Sequence, residues 1–457
     1  MQTDTEHAPS RGAAVRHVLC LVLVSRLWIF AGVLLAVTFG TAYDVSGALG
    51  PPRAATMPAA TWTATWAEAM HRWDTVYFAG IATRGYRYEQ ELAFFPGWPV
   101  AMRALASAAA AASPLRHVPV LVAGLVLSSA VSAAAAVSLY LLTRDVFHDH
   151  ARALAAAVLW LFGPSMVVVA GAYTEAAFAA CAFLGAYALL HGRRWTATAL
   201  LAAASALRSN GLLHLPVVVG AHLLTDPRAL AQPLGAWPSW RSWRPAPRRI
   251  LAAAVGAAAV GLPVALHQLP AWWAFCYPSP TRPWCAATPP SVYAFVQSHY
   301  WGNGFLRYWT PNNVPNFLLA LPHVALTAAS VGSAASAAWT AGPGRRAAWR
   351  STTLAELLLT LPWWILVGML VTAMHVQVIL RVVTGSPAFY WTAAGFYVQA
   401  RRVLAASSAA VASSAPSPSA ASRRGSMATT LAAAILPSYV LYGSVGIVLF
   451  SLFYPPA

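Results

Sequence analysis

An aspartate within an aromatic motif is the first residue of this chain that could do chemistry. The stretch HRWDTVYF, residues 71–78, places Asp74 among three aromatic side chains, about thirty residues after an apolar run that ends near Gly40. A carboxylate in a cleft can take a proton from a bound hydroxyl group as a general base. Aspartate is also a common cap at helix N-termini. We expect one of these two roles for Asp74.

Other polar residues near Asp74 are candidates for substrate contacts. Arg72 and Tyr77 belong to the same motif, and the stretch GYRYEQELAFFPGWP that follows carries Glu89 and Glu91. Residues two positions apart do not share a helix face, so we expect one glutamate to point into a cleft and the other to face solvent. Glu89 is therefore either a site residue or a solvated loop acid.

Two arginines at the ends of apolar runs could bind an anion. Arg208 lies in the turn RSNG, and Arg381 lies in HVQVILRVVTG, after His375 and Gln377. If this segment is helical, Gln377 and Arg381 are four residues apart and share a face. Arginine binds a phosphate through two parallel hydrogen bonds, and histidine and glutamine can add others. We expect a phosphate site here; the alternative is contact with lipid headgroups by a snorkelling side chain.

An aromatic loop, residues 271–313, is a further candidate for a binding site. It combines many tryptophans and tyrosines with three asparagines. This composition is typical of a site for a sugar or an isoprenoid, whereas an aromatic belt at the membrane interface needs fewer asparagines. Within the loop, Trp301 and Arg307 are candidates for substrate contacts. Glu175, in the stretch AYTEAAF, is another candidate.

The four cysteines indicate one disulfide and no metal site. Cys276 and Cys285 share the aromatic loop, and a disulfide between them is expected if that loop lies in an oxidising compartment. Cys20 and Cys181 lie inside apolar runs, as buried free thiols do. The sequence has no CxxC motif, no Cys/His metal spacing and no acidic cluster of the DxD type. It predicts no metal and no cofactor.

The composition predicts an all-α polytopic membrane protein. The chain has 457 residues, of which 59% are hydrophobic and 9% are charged, against about 25% charged in soluble domains. Apolar runs of roughly 18 to 25 residues recur along the chain, and each could cross a hydrocarbon layer of about 30 Å. The first run, 18–40, is too long for a signal peptide and predicts a membrane anchor.

The distribution of arginine predicts which connections share a side of the membrane. The net charge of +17 comes from arginine alone among the strong bases. These arginines occur in short connections between apolar runs. The positive-inside rule explains this distribution better than binding to nucleic acid does. About eleven membrane spans then place the arginine-rich connections in the cytosol. The spans are 18–40, 118–142, 152–171, 174–190, 195–208, 211–225, 250–270, 314–337, 353–374, 387–403 and 428–450.

The same threading gathers the candidate site residues on the opposite side. That side holds 41–117, 171–174, 208–211, 271–313 and 375–387. Within the first of these loops, the apolar stretch 96–112 is expected to lie at the interface, because an extra span would invert every later connection. Arg208 and Arg381 are then on the side where the charge rule disfavours arginine, which favours anion binding.

Low-complexity sequence predicts one disordered segment. Residues 405–426, rich in alanine, serine and proline, contain too few bulky apolar side chains to fold. We expect a disordered cytosolic insertion in a single membrane domain that spans residues 1–457.

Taken in order, the motifs resemble the GPI mannosyltransferase 2 family. The resemblance covers most of the chain and is most specific over residues 284–322 and 375–391. The departures are the arginine-rich connection 226–249 and the insertion 405–426. The matching pieces are HRWDTVYF, GYRYEQELAFFPGWP, AYTEAAF, RSNG, the run from PWC to QSHYWGNGFLRYWTPNNVPNFLLALP, and HVQVILRVVTGSPAFYW.

This resemblance implies a glycosyltransferase of the GT-C fold type in the endoplasmic reticulum membrane, with its active site on the lumenal face. It implies dolichyl-phosphate-mannose as donor, the mono-mannosylated GPI precursor lipid as acceptor, an α-1,6 linkage, and inversion at the anomeric carbon. It also implies that Asp74 takes the position of the acidic residue in the first lumenal loop that serves as the family's catalytic base. An arginine would hold the departing phosphate.

Three other functions fit parts of the sequence. A lipid-sugar transporter would place ionisable residues near the bilayer centre and often show repeated halves. A non-catalytic subunit of a glycosyltransferase would not need Asp74. Another dolichyl-phosphate-mannose-dependent mannosyltransferase would share the donor site. Whether a small accessory subunit is required is left open.

Overall fold

Helices make up nearly all the regular structure in the described part of the chain. The computed structural model describes residues 9–43, 62–112, 118–224, 245–339, 353–412, 427 and 429–454. We number the helices in chain order as α1 (Arg11–Phe39), α2 (Trp62–Ala69), α3 (Asp74–Arg84), α4 (Gly97–Ala112), α5 (Val120–Phe147), α6 (His150–Phe162), α7 (Met166–Ala170), α8 (Glu175–Leu190), α9 (Arg194–Leu207), α10 (Leu215–Leu223), α11 (Pro247–Cys276), α12 (Val292–His299), α13 (Val314–Trp339), α14 (Leu354–Ala373), α15 (Ile379–Val382), α16 (Pro387–Ala412) and α17 (Ile435–Ser451).

The helices confirm an all-α polytopic membrane protein. Among the described residues, α1, α5, α11, α13 and α14 contain apolar segments long enough to cross a bilayer, by length and composition. Every predicted span coincides with a helix or, for 152–171, with a pair of helices. Several of these helices are shorter than a full span, so the number of eleven crossings is not confirmed.

The predicted span 152–171 is broken in the middle. Helix α6 ends at Phe162, and α7 begins at Met166 after the sequence Gly163-Pro164-Ser165. Proline lacks the backbone N–H needed to continue a helix and disfavours helical backbone in the residue before it. Helix α17 packs closely on this break, since a Cβ atom on Gly443 would lie 2.5 Å from the carbonyl oxygen of Gly163.

The arginine-rich connections meet at one end of the helices. Arg11 forms an ion pair of 2.6 Å with Asp145 in the last turn of α5, within the predicted connection between spans 118–142 and 152–171. On the same connection, Asp149 pairs with Arg402 of α16 at 3.0 Å. These contacts join three of the segments that the sequence assigns to the cytosol.

A buried aromatic core fixes the segment around Arg381. The indole of Trp160 in α6 donates a hydrogen bond to the carbonyl oxygen of Thr384, at 3.0 Å. At the other end of that core, Trp391 donates to the hydroxyl oxygen of Thr143, at 2.8 Å. Both indole side chains are almost fully buried. The backbone from α15 to α16 is therefore held against α5 and α6.

Two segments that lie outside the predicted spans, 97–112 and 405–412, are helical. The stretch expected at the interface contains α4, whose 16 residues extend about 24 Å at 1.5 Å per residue. Helix α16 continues to Ala412, so residues 405–412 are helical and not disordered as predicted. Alanine is the strongest helix former, and that part of the segment precedes its first proline. The rest of the predicted insertion, 413–426, lies outside the described residues.

Candidate active site

All five connections predicted to lie on the lumenal side contribute to one cavity of about 230 Å³. The sequence predicted only that these connections lie on the same side of the membrane. In the structure, residues from all five line the same cavity. The polar and aromatic residues that line it include Asp74, Phe94, Thr174, Arg208, Ser209, Tyr293, Gln297, Trp301, Asn303, His375 and Arg381.

Asp74 enters the cavity from the first turn of α3. The residue before it, Trp73, has φ of 53°, a conformation that is costly for a residue with a side chain and is often found at functional sites. Trp73 occupies the N-cap position, and its side chain makes no capping bond. Asp74 is therefore not the N-cap, and its Oδ2 atom instead accepts a hydrogen bond of 2.6 Å from Nη2 of Arg381.

Four charged side chains form a cluster beside the cavity. Arg381 contacts Asp74 and also donates to Oε1 of Glu175 from Nε at 3.0 Å and from Nη2 at 2.9 Å. Arg208 approaches the same Glu175 oxygen at 2.6 Å and donates to the hydroxyl oxygen of Thr174 at 3.0 Å. Two arginines thus face two carboxylates, and an incoming anion would find both guanidinium groups already aligned.

Glu175 lies behind this cluster and not in the cavity. Its side chain is 1% exposed, whereas those of Asp74 and Arg381 are 25% and 19% exposed. A carboxylate that binds two arginines from below restricts their rotamers and leaves their remaining N–H groups for a ligand. Glu175, predicted to contact substrate, does not line the cavity and instead contacts Arg208 and Arg381.

Local backbone structure explains why the arginines face inward. Arg208 is the C-cap of α9 and has extended backbone with φ of −154°. Its side chain therefore does not follow the helical arrangement of the α9 side chains. Arg381 lies in the short helix α15, and the hydroxyl of Thr384 donates to its carbonyl oxygen at 2.7 Å. Its guanidinium carbon is 5.0 Å from the centroid of the Tyr173 ring, a cation–π distance.

The other predicted site residues divide between the cavity and its surroundings. His375 lines the cavity and stacks on Tyr308, with ring centroids 4.5 Å apart, and Trp301 also lines it. Gln377 does not line the cavity. It lies in a 3₁₀ turn and Arg381 in the α-helical turn that follows, so the predicted sharing of one α-helix face does not apply to this pair. Arg307 is exposed and lies outside the lining.

Arg72 and Tyr77 flank Asp74 in sequence but do not line the cavity. The guanidinium carbon of Arg72 lies 4.6 Å from the centroid of the Phe453 ring, and the side chain donates to backbone carbonyls. The Tyr77 ring stacks on Phe94, with centroids 4.6 Å apart. Both residues support the motif that carries Asp74.

Glu89 and Glu91 are both buried structural acids, which corrects the expectation that one reaches the cleft and the other faces solvent. Glu91 pairs with Arg84 at 2.5 Å. Glu89 accepts hydrogen bonds from Nε of Arg282 at 2.8 Å, from the Trp284 indole at 2.9 Å and from the Tyr300 hydroxyl at 3.0 Å. These bonds attach the aromatic loop to the segment that connects α3 and α4.

A disulfide closes the same part of the aromatic loop. Cys276 and Cys285 are bonded, with Cα atoms 5.4 Å apart. The bond lies next to Trp284, one of the hydrogen-bond donors to Glu89. Together the disulfide and the Glu89 contacts hold the segment that precedes α12, the helix that supplies Tyr293 and Gln297 to the cavity.

The Glu89 cluster predicts a pH-dependent stability. Burial would raise the pKa of the Glu89 carboxyl, but the hydrogen bonds from Arg282, Trp284 and Tyr300 outweigh it and lower that pKa below its usual value. The contribution to stability is therefore complete above the pKa of an unfolded glutamate, about 4.3, and is lost as the pH falls through the lower folded pKa. Glu89→Gln should unfold several degrees below the wild type at neutral pH.

Thermal unfolding of the detergent-solubilised protein, followed by tryptophan fluorescence, measures this difference. The gap between wild type and Glu89→Gln should narrow below about pH 4. A gap that stays constant from neutral to acidic pH would contradict the role given to the charged carboxyl.

Several cavity residues were missed from the sequence. Ser209 and Tyr293 share a hydrogen bond of 2.7 Å between their hydroxyl groups. Tyr293 and Gln297 are four residues apart on α12 and face the cavity together, and this spacing was a detectable signal. Thr174 and Ser209 are each adjacent in sequence to a predicted charged residue. Arg282 lies outside the cavity lining and was also missed. It carried no signal in the sequence, because its partner Glu89 is 193 positions away.

Two buried polar atoms in the cavity wall have no hydrogen-bond partner within the described residues. They are the indole N–H donor of Trp301 and the amide oxygen of Asn303, whose amide nitrogen donates to Gln297 at 2.6 Å. Buried polar atoms without partners are uncommon in folded proteins. One donor and one acceptor in the wall of the same cavity match the needs of ligand hydroxyl groups, which both donate and accept.

Comparisons with known proteins agree along almost the whole chain. The profile of the family described as "Mannosyltransferase (PIG-V)" matches residues 15–457. The chain is 31% identical to GPI mannosyltransferase 2 of Chaetomium globosum, over 87% of this chain and 93% of the relative. It is 34% identical to GPI alpha-1,6-mannosyltransferase 2 of Rattus norvegicus, over 55% of each chain. It is 32% identical to GPI mannosyltransferase 2 of Yarrowia lipolytica, over 70% of this chain and 77% of the relative. No solved structure matches the chain.

Proposed function

Since this chain belongs to the PIG-V mannosyltransferase family, we propose that it adds the second mannose of the GPI anchor, in an α-1,6 linkage, to the mono-mannosylated precursor lipid. The protein is a membrane-bound glycosyltransferase, and its relatives carry this activity in their names. The observation that carries the proposal is the ion pair between Asp74 and Arg381 inside a cavity built from five connections. A base and an anion ligand are the two groups that transfer from a sugar phosphate requires.

The proposed donor is dolichyl-phosphate-mannose, and the reaction is a single displacement. The 6-hydroxyl oxygen of the acceptor mannose attacks the anomeric carbon of the donor mannose. The bond between that carbon and the phosphate oxygen breaks, and the electron pair leaves with dolichyl phosphate. Asp74 takes the proton from the attacking hydroxyl, and attack opposite to the leaving group inverts the anomeric carbon.

The arginines stabilise the phosphate as its charge develops. Arg381 and Arg208 both line the cavity and are both held from behind by Glu175. Preorganised cations at a departing phosphate lower the barrier because they do not have to reorient during the reaction. His375, on the same wall, can add a hydrogen bond. The described residues contain no group of three His, Cys, Asp or Glu side chains that could hold a metal ion.

The contact between Asp74 and Arg381 suggests an order of events. Oδ2 of Asp74 is bound to Arg381 at 2.6 Å, so part of the guanidinium is occupied before the donor arrives. The phosphodiester of the donor, a monoanion, would compete for the same N–H groups. Donor binding then loosens the hold of Arg381 on Asp74 and frees the carboxylate to accept the acceptor proton. The base becomes available only when the leaving group is in place.

We place the cavity on the lumenal side of the endoplasmic reticulum membrane. The support is the charge rule: arginines such as Arg11 and Arg402 pair with acids at the opposite end of the helices. A disulfide near the cavity also fits an oxidising compartment. A transporter is not favoured, since the cluster that includes Asp74 and Arg381 lies at the ends of helices and in connections.

A cell line that lacks the second GPI mannose tests the function. Expression of this chain should restore GPI-anchored proteins at the cell surface, and microsomes should convert the one-mannose precursor to the two-mannose product. A cell line blocked at the first mannose is the matched control and should not be restored. Restoration in neither line, with the chain present in the membrane, would contradict the proposal.

A further inference from the structure

Arg381 also lines a second cavity. This cavity has a volume of about 360 Å³, within the range of ~300–1,000 Å³ that ligand sites occupy. Its walls come from α7, α13, α15, α17 and the turn before α7. Apart from Arg381, the only polar side chains in its lining are three hydroxyl groups, and the other residues are apolar.

Arg381 is the only described residue that lines both cavities. The first cavity also contains the polar side chains of Asp74, Gln297 and His375, which suit a sugar. The second cavity is lined mainly by leucines and valines. A ligand that filled both would need a polar head, an anionic group at the arginine and an apolar tail.

The second cavity opens sideways between α13 and α17. These helices touch where the rings of His323 and Tyr439 stack, with centroids 5.3 Å apart. The cavity lies beyond that contact, toward the start of α13 and the end of α17. At its mouth, Leu319, Leu441 and Val445 are 39%, 67% and 49% exposed. On membrane-spanning helices, such side chains face lipid.

We propose that this second cavity binds the first isoprene units of the donor lipid, whose chain enters from the bilayer between α13 and α17. The identity of the donor rests on the proposed function, whereas the place of the tail rests on the two cavities that share Arg381. With the phosphate at Arg381, the mannose reaches Asp74 and the isoprenoid chain extends into the second cavity. The site thereby selects a lipid-linked sugar phosphate over a soluble one.

Filling the second cavity tests the proposal. Gly446 of α17 lines it, and a Cβ atom there would have only an ordinary contact of 3.6 Å with the carbonyl oxygen of Pro164. Gly446→Leu therefore adds an isobutyl group without a backbone clash. Gly368→Leu is the matched control, because Gly368 is also inside a helix, is exposed and has open space around its Cβ position.

The full-length purified variants are assayed with two mannosyl phosphates, one with a dolichyl chain and one short-chain donor that carries a methyl group in place of the isoprene units. Gly446→Leu should lower kcat/KM for the dolichyl donor by about 10- to 100-fold, because several buried methylene groups lose their contacts. The ratio of kcat/KM between the dolichyl and the short-chain donor should fall with it. Gly368→Leu should match the wild type with both donors. An equal loss with both donors, or no loss with either, would overturn the proposal.

A binding measurement separates this proposal from the proposed function. Dolichyl phosphate with a diazirine in its second isoprene unit should crosslink to the peptides that contain Leu319 and Leu441–Leu449, and Gly446→Leu should reduce the yield. Polyprenyl phosphate should compete and phosphatidylcholine should not. Crosslinking of this kind in a chain that transfers no mannose would support the tail site and refute the proposed function. Equal competition by phosphatidylcholine would identify a gap filled by bilayer lipid and overturn the tail site.

Discussion

Asp74→Asn should lower the rate of mannose transfer by about 10²- to 10⁴-fold, because the variant lacks the base that takes the acceptor proton. Asparagine keeps the size of the side chain and an oxygen that can still accept a hydrogen bond from Arg381. It is also compatible with the first turn of a helix. The substitution therefore removes the negative charge and the proton acceptor with little change in shape.

Asp149→Asn is a matched control for Asp74→Asn. Asp149 is the N-cap of α6, and Asp74 is the first residue of α3; each pairs with an arginine. The side chain of Asp149 is 23% exposed, close to the 25% of Asp74. It lies at the opposite end of the helices from the cavity. The control variant should keep near wild-type turnover, because asparagine also caps helices well.

The measurement is conversion of the one-mannose precursor in microsomes that contain equal amounts of each variant. Asp74→Asn should accumulate that precursor while its size-exclusion profile matches the wild type. Wild-type conversion by folded Asp74→Asn would show that another group accepts the proton. The same loss in Asp149→Asn would point to a general effect of removing a carboxylate.

The sequence predicted the helical elements more accurately than the contacts. Apolar runs and arginine-rich connections depend on local composition, so the helices and the five connections that meet at the cavity could be read from them. The break between α6 and α7 was missed because the run 152–171 was treated as one apolar segment despite Pro164. Pro164 was a local signal from which the break between α6 and α7 could have been predicted.

The ion pairs could not be predicted in the same way. Asp74 and Arg381 are 307 positions apart, and Arg381 and Glu175 are 206 apart. Whether such residues meet depends on how α3, α8 and α15 pack, which no local pattern encodes. Glu175 was predicted to contact substrate from its position alone, and its burial and its contacts with two arginines are visible only in the folded chain. Glu89 was misplaced for the same reason, since its partners lie in the aromatic loop.

Arg381→Lys should lower kcat/KM for the donor by about 10²- to 10³-fold, the loss typical of removing a preorganised group that stabilises developing charge. Arg381 uses Nε and Nη2 to contact Glu175 and Nη2 to contact Asp74. A lysine has one nitrogen and cannot make these contacts and also bind a phosphate through two parallel hydrogen bonds. The charge is kept, so a loss in this variant reports geometry.

The alternative role of Arg381 is contact with lipid headgroups, and it predicts a different result. Lysine also reaches headgroups from the end of a helix, so Arg381→Lys would then be nearly silent. Arg402→Lys is the matched control: Arg402 makes a single 3.0 Å contact with Asp149 at the far end of the helices. It should show wild-type kinetics under either account.

Defined donor and acceptor lipids in detergent distinguish the two roles of Arg381. If the guanidinium binds the phosphate, KM for the donor rises or kcat falls in Arg381→Lys, while the dependence on acceptor concentration changes little. Arg381→Ala should lose more, because it also leaves Glu175 with Arg208 as its only arginine partner among the described residues. Unchanged donor kinetics in both variants, with the folded fraction verified by size exclusion, would move the phosphate to Arg208. In that case Arg381 would serve only to hold Asp74, and acceptor kinetics would change in its place.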